Sequence, residues 1–215
     1  MSNTESAPVH GSGDDSAPQI FLVDDQPAVL KGLARLLGAA GYAVLAYGSA
    51  REFLAGGHAG AAGCLLLDLS MPDMDGSALQ QALAAQACAL PIIFLTGHGD
   101  IDSGVSAMKL GASDFLSKPV DEARLLAAIE VALARNRAER SAHAERHGIA
   151  ARLASLTPRE HEVMELVIEG LLNKQIAAAL GTVEKTVKVH RARVMQKMQV
   201  RSVTALVRLV DSSRR

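Results

Sequence analysis

Cys64-Leu65-Leu66-Leu67-Asp68-Leu69-Ser70-Met71-Pro72-Asp73-Met74-Asp75-Gly76 opens as an apolar run and stops abruptly at a carboxylate. No polar residue alternates within the run, so a strand here is covered on both faces, which indicates a parallel sheet. Working outward, short apolar runs recur at Ile20 to Val23, Ala43 to Ala46, Ile92 to Leu95 and Asp114 to Leu116. Segments with helical spacing separate them. Val29, Leu33, Leu36 and Leu37 form an i, i+4, i+7, i+8 stripe that ends at Gly41, and Leu79 with Leu83 marks a third helix. The pattern is a βα repeat of five strands and five helices, an α/β fold with a doubly wound parallel sheet.

The fifth helix starts near Asp121 and places Leu125, Ile129 and Leu133 on one face. It runs on without Pro or Gly through Arg135 to His147 as an extended linker helix. Beyond Gly148 a second region opens with Leu156-Thr157-Pro158-Arg159-Glu160, where Thr suits an N-cap and Pro the first helical turn. Four short helices follow, at 158–169, 173–180, 183–198 and 202–212. The first 18 residues are rich in Ser, Gly, Asp and Pro and have too few apolar anchors to offset the entropy of ordering. They read as a flexible arm.

A length of 215 residues, with 49% hydrophobic and 21% charged, excludes wholesale disorder and allows one large domain or two small ones. No apolar run approaches the roughly 18 to 20 residues of a membrane span, and the N-terminus lacks the pattern of a secretory signal, so the expected location is the cytoplasm and no membrane partner is expected. Cys64 and Cys88 suit buried reduced thiols. The net charge of -1 hides a division. Residues 1–155 hold 11 Lys and Arg against 17 Asp and Glu, a net of -6, and residues 156–215 hold 11 against 6, a net of +5. A basic C-terminal region suits a polyanionic partner.

In an open parallel α/β sheet the ligand crevice lies at the carboxyl ends of the strands. There the sequence places Asp24-Asp25 after the first run, Asp68 after the third, Thr96 after the fourth and Lys118-Pro119 after the fifth. Three converging carboxylates repel one another unless a cation lies between them, and hard oxygen ligands with room for water suit Mg²⁺ or another divalent cation. A carboxylate nucleophile, a metal, an ammonium and a hydroxyl donor form the set that phosphoryl transfer requires.

These residues, with Phe21-Leu22-Val23-Asp24-Asp25, Leu66 to Gly76, Leu95 to Asp100 and Gly111 to Pro119, make residues 19–136 resemble the receiver domain of a two-component response regulator. The resemblance implies a flavodoxin-like fold in which Asp68 accepts a phosphoryl group from a sensor histidine kinase. It further implies that Asp25 coordinates Mg²⁺ directly, Asp24 through water, and that the Ser70 main-chain carbonyl completes the protein ligands. Lys118 would contact the phosphoryl oxygens, and Thr96 and Phe115 would form the switch. Ser70 and His98 resemble positions that tune phosphoryl lifetime. The implied output surface is formed by the expected fourth helix, fifth strand and fifth helix.

Winding residues 183–198 at 100° per residue brings Val187, Val194 and Met198 within about 40° of each other, a core face. The opposite face carries Lys185, Lys188, Val189, Ala192 and Gln196, with Arg193 flanking, small and basic residues suited to a major groove. The preceding helix, Asn173 to Leu180, aims its N-terminal amides, Asn173 and Lys174 toward a phosphate. Residues 156–215, after a linker helix at 137–155, resemble the LuxR-type helix-turn-helix of the FixJ/NarL class, a small all-α domain of four helices. In that class the third helix reads bases. Lys188 and Val189 are then the base-contact candidates, with Asn173, Lys174, Lys185, Thr186 and Arg193 on phosphates, and His190 a core-edge residue. Thr182-Val183 stands where Ile-Ser is usual, which removes the expected N-cap and leaves Thr182 as its substitute. The implied partners are double-stranded DNA, RNA polymerase as a further candidate, and a second copy of the chain when phosphorylated.

Two enzyme readings compete. An Asp-nucleophile phosphatase requires a second Asp two residues beyond the nucleophile, where this chain has Ser70. A nucleotide-binding enzyme requires a glycine-rich phosphate loop, and none is present. A third alternative is a DNA-binding module whose receiver is a dimer interface only, for which the full set of Asp24, Asp25, Asp68, Thr96 and Lys118 would be unnecessary. His143 and His147 lie one turn apart, yet His-Ala-Glu-Arg-His is not the H-E-x-x-H metal motif, and the pair reads as a solvated helix face.

Overall fold

The computed structural model describes residues 18–58, 60–97 and 108–213, which form two units, 1–139 and 140–215. The expected flexible arm, His98 and most of the expected fourth helix therefore lie outside the described residues. In the first unit the strands are β1 (Gln19–Val23), β2 (Ala43–Tyr47), β3 (Gly63–Asp68), β4 (Ile92–Thr96) and β5 (Asp114–Ser117). They form one parallel sheet in the order β2-β1-β3-β4-β5. The helices are α1 (Pro27–Ala39), α2 (Ala50–Ala55), α3 (Gly76–Ala85) and the 33-residue α4 (Glu122–Ala154).

Alternate residues of the buried strands build two cores. Phe21, Val23, Leu65, Leu67 and Phe94 pack with Phe53 of α2 and Leu79 and Leu83 of α3 on one face. Ile20, Leu22, Leu66, Ile93 and Leu95 pack with Leu37 of α1 and Leu125 and Ile129 of α4 on the other. Helices on both faces account for runs without polar alternation. β2 is the exception: as an edge strand it leaves Leu45 exposed. Ser49 caps α2 and Asp75 caps α3, each side chain accepting a backbone N–H three residues on.

The base of the sheet holds a contact the sequence did not announce. Asn136, buried within α4, accepts from the Gly63 N–H at 3.1 Å and donates to the Ala89 carbonyl at 3.1 Å. One side-chain amide thus satisfies two backbone groups at the starts of β3 and the β4 approach. A Cβ at Gly63 would come within 1.9 Å of the Gln19 carbonyl oxygen, so this position admits no side chain.

The second unit contains the end of α4 and then α5 (Pro158–Ile168), α6 (Asn173–Ala179), α7 (Glu184–Lys197) and α8 (Val203–Ser213). α4 runs through Gly148 as far as Ala154. Glycine weakens a helix by about 1 kcal/mol, which packing offsets when a later residue such as Leu153 reaches a core. That core consists of Val163, Met164, Val167, Ile176, Val187, Val194, Met198, Leu206 and Val210.

Glu160 holds the entry to this unit. It forms a capping box with Thr157, accepting the Thr157 N–H at 2.9 Å while the Thr157 hydroxyl accepts the Glu160 N–H at 3.3 Å. The ammonium of Lys197 on α7 reaches the same carboxylate at 2.6 Å and the Ser155 carbonyl at 2.8 Å. The hydrogen bond from Lys197 and that from Thr157 pull the Glu160 carboxyl down to about 2. A depressed carboxyl stabilises the fold above its unfolded value near 4.5, and this contribution disappears as pH falls toward 2. Glu160→Gln should therefore destabilise the second unit by about 2 kcal/mol at neutral pH. Urea denaturation as a function of pH should show the wild-type and Gln curves converging below pH 4.5 and meeting near 2.

Candidate functional site

The carboxyl ends of β1, β3 and β5 bring Asp24, Asp25, Asp68 and Lys118 together. The sheet order reverses between β1 and β3, so the helices leaving these strands depart on opposite faces and open a crevice there. Asp24, Asp25 and Asp68 each present an oxygen within 4.8 Å of the others. Asp24 is 1% exposed and Asp68 2%.

Lys118 Nζ lies 2.5 Å from Asp24 Oδ2 and 3.1 Å from Asp68 Oδ1, bridging two buried carboxylates. Burial pushes the Asp68 carboxyl up, and the Lys118 ammonium and the Ser70 backbone N–H pull it part of the way back. Burial alone would lower the Lys118 ammonium, but the hydrogen bonds to Asp24 and Asp68 outweigh it and leave the pKa raised. The remaining Asp24 oxygen accepts the Gln26 N–H at 2.9 Å. Both Asp24 oxygens are therefore engaged.

Asp25 differs: its Oδ1 is buried with no hydrogen-bond partner. An orphaned carboxylate oxygen beside two further carboxylates is a hard, anionic donor set, and it fits a Mg²⁺ ion. Ser70, exposed after β3, lies on the loop that carries Asp68. Thr96 ends β4, buried, with its hydroxyl donating to the Gly97 carbonyl at 3.3 Å. The backbone N–H of Lys118 donates to the Thr96 carbonyl, tying the ends of β4 and β5. Phe115 pairs with Phe94 across the sheet and packs half-buried against the core on the α2 and α3 side. The peptide bond between Lys118 and Pro119 is cis.

Gly76 is a site-building residue that residue chemistry alone did not single out. A Cβ there would lie 2.5 Å from the Asp68 carbonyl oxygen and 2.9 Å from the Phe94 ring. The start of α3 passes directly against the backbone of Asp68, and its N–H donates to the Leu69 carbonyl at 2.9 Å.

In the second unit α6 and α7 form the helix-turn-helix. Val187 and Val194 are buried, as the winding required, and Lys185, Lys188, Val189 and Arg193 are exposed on α7. Val189 is 46% exposed, an apolar side chain among cations. Lys188 reaches back to Glu184 at 3.4 Å, an exposed pair of little energetic weight. Thr186 and Asn173 are half-buried, and Lys174 is exposed at the start of α6. His190 is half-buried at the core edge, its Nδ1 lacking a partner. The N-cap of α7 is Val183 with no side-chain cap, so Thr182 does not take over that role. The Thr182 backbone N–H instead donates to the Ala177 carbonyl, closing the end of α6.

Two arginines set the mutual position of these helices. Arg191 on α7 donates to Asn173 Oδ1 at 3.0 Å and so orients the first side chain of α6. Arg159 on α5 donates to the Leu180 carbonyl at 2.6 Å, satisfying the other end of α6. Neither contact follows from helix periodicity, since each joins residues on different elements.

Comparison with known proteins matches this arrangement. Residues 20–130 match the response regulator receiver domain, and residues 154–210 match the luxR family of bacterial regulatory proteins. The transcriptional regulatory protein FixJ of Bradyrhizobium diazoefficiens is 44% identical over 190 residues, covering 88% of this chain and 93% of that protein. Nodulation protein W of the same organism is 43% identical over 193 residues, 90% of this chain and 85% of that protein. Among solved structures, the response regulator StyR superposes with a TM-score of 0.87 at 47% identity, covering 90% of this chain and 98% of that one. No helix among the described residues is long and apolar enough to cross a membrane. The chain belongs to the transcription-regulating response regulators of two-component systems, with a receiver domain followed by a luxR-family helix-turn-helix domain.

Proposed function

We propose that Asp68 is the phosphoacceptor of a cytoplasmic, phosphorylation-switched DNA-binding regulator. The observation that carries this reading is the Lys118 ammonium held between the buried carboxylates of Asp24 and Asp68. In the reaction an Asp68 oxygen attacks the phosphorus of a phosphohistidine on a sensor kinase. The new O–P bond forms as the P–N bond breaks, and the imidazole leaves. Lys118, already 3.1 Å from Asp68, turns its charge toward the transferred oxygens, and Thr96 exchanges its Gly97 contact for a phosphoryl oxygen. A divalent ion, when bound, supplies electrostatic neutralisation of the equatorial oxygens. Asp25, with its unpartnered oxygen, suits direct ligation. Asp24, with both oxygens engaged, suits a water-mediated role, and the Ser70 carbonyl completes the protein ligands. Attack by water on the acyl phosphate would reset the site, with Ser70 and His98 positioned in sequence to influence its lifetime.

Phosphorylation would favour an inward arrangement of Thr96 and Phe115, altering the surface around β5 and the start of α4 and thereby dimerisation or release of the DNA-binding unit. A single reader of this size covers one half-site, so linking two raises affinity through effective concentration. Lys188 and Val189 would meet base edges in the major groove. Asn173, Lys174, Lys185, Thr186 and Arg193 would hold phosphates, and RNA polymerase is the further candidate partner.

Acetyl phosphate with Mg²⁺ should give a phosphoryl adduct by intact mass on the wild type and none on Asp68→Asn. Sedimentation should show the modified chain shifting toward dimer. An unmodified wild type would remove the basis of the proposal and favour a constitutive DNA-binding module. Lys118→Met should cost about 3 kcal/mol of receiver stability at neutral pH without divalent ions, because two buried carboxylates lose their counter-charge. Denaturation at pH 4, where carboxylates begin to protonate, should show a smaller loss. Once an operator is identified, Lys188→Ala should relax base preference by about 1 to 3 kcal/mol at one position, as measured with operator variants. Lys174→Ala should weaken all sequences alike and reduce the salt slope by about one.

A further inference from the structure

We propose that His143 and His147 form a two-point chelate for a borderline transition-metal ion such as Zn²⁺ or Cu²⁺. The two side chains lie one turn apart on the second-unit portion of α4, with Nε2 atoms 3.2 Å from each other. A metal bound to both at about 2.05 Å would subtend an N–metal–N angle of about 100° across that separation, near the tetrahedral value. The rings are tilted by 47° with centroids 4.3 Å apart, so they converge at their Nε2 edges without stacking face to face.

Both histidines are exposed and border an open cleft of about 380 Å³, lined also by Arg146, Ala150, Leu153 and Ser213. The cleft leaves room for water or a small anion to fill the remaining coordination positions, and Arg146 favours an anion there. In the metal-free chain the contact is a hydrogen bond in which one Nε2 carries the proton. Chelation moves that proton to Nδ1 of the same ring and leaves both Nε2 lone pairs for the metal, so no charge is created. Imidazole selects zinc and copper, whereas the carboxylates of Asp24, Asp25 and Asp68 select harder ions. The proposal is independent of the assignment of Asp68.

Zn²⁺ should be titrated calorimetrically into the full chain in excess Mg²⁺, which keeps the carboxylate cluster from competing. The expected result is saturable binding at one ion per chain or one per two chains. His143→Gln or His147→Gln alone should weaken it by about tenfold or more. Circular dichroism of each variant would establish that the helix is retained, and electron paramagnetic resonance of the Cu²⁺ form should show coupling to two imidazole nitrogens in the wild type and to no more than one in either variant. Absence of saturable binding to the wild type would overturn the proposal. So would binding that neither substitution alters, which would place the ion on one of the other five of the chain's seven histidines or on a carboxylate.

Discussion

Two carboxylates that are nearly inaccessible to water, Asp24 and Asp68, can stay ionised side by side only if a cation stands between them. Lys118 is that cation, and the rest of the receiver is arranged to keep it there. β1, β3 and β5 must end at the same edge, and the sheet order must place β3 between β1 and β4. The loop after β3 must fold back tightly enough that position 76 has no space for a Cβ. A single ammonium still leaves the site two negative charges in excess of balance when Asp25 is counted. That excess includes an Asp25 Oδ1 without a partner, and its charge suits a further cation.

The architecture was legible in the sequence because burial on both faces forbids polar alternation. Ile20 to Val23 and Ile92 to Leu95 therefore announce strands, and the residues that follow them announce a crevice. The convergence of Asp24, Asp25, Asp68 and Lys118 was legible for the same reason: chain topology, which the apolar runs encode, determines which polar residues meet. What stayed hidden depends on pairings between distant elements. Asn136 looks like any polar residue on a helix until β3 and the β4 approach present a donor and an acceptor to it. Arg191 lies on the same helix as Lys188 and Val189, and its partner Asn173 belongs to another. The passage of α4 through Gly148 likewise rests on distant contacts, because local propensity counts against a glycine whereas packing farther along the helix outweighs it.

The second unit solves a different problem with similar means. A basic surface must be presented without cations repelling one another into disorder, and the domain turns one cation of α7, Lys197, inward onto a buried carboxylate. Glu160 and Lys197 join the first and third helices of the unit proper, and Arg159 neutralises the carbonyl end of α6. α7 itself starts without a side-chain cap, so its first turn relies on packing of Val187 and on the chain closing through Thr182. Exposed Val183 and Val189 lie on this uncapped helix and its entry, apolar groups that a solvated surface alone would not favour.

The pairing of β1 with β3 has a kinetic side. Ile20 sits opposite Cys64, so the central ladder closes only after α1, β2 and α2 have been made, and nonlocal parallel pairing of this kind is slow. The second unit, by contrast, is all helix, a class whose contacts are on average more local and which folds faster than parallel sheets. Synthesis runs from the slow unit to the fast one, and at about 5 to 20 residues per second the last 76 residues, 140–215, take roughly 4 to 15 s to emerge. The sheet thus has that interval to form before a complete basic domain exists, and the order of the two units along the chain itself limits the lifetime of a reader attached to an unfolded receiver.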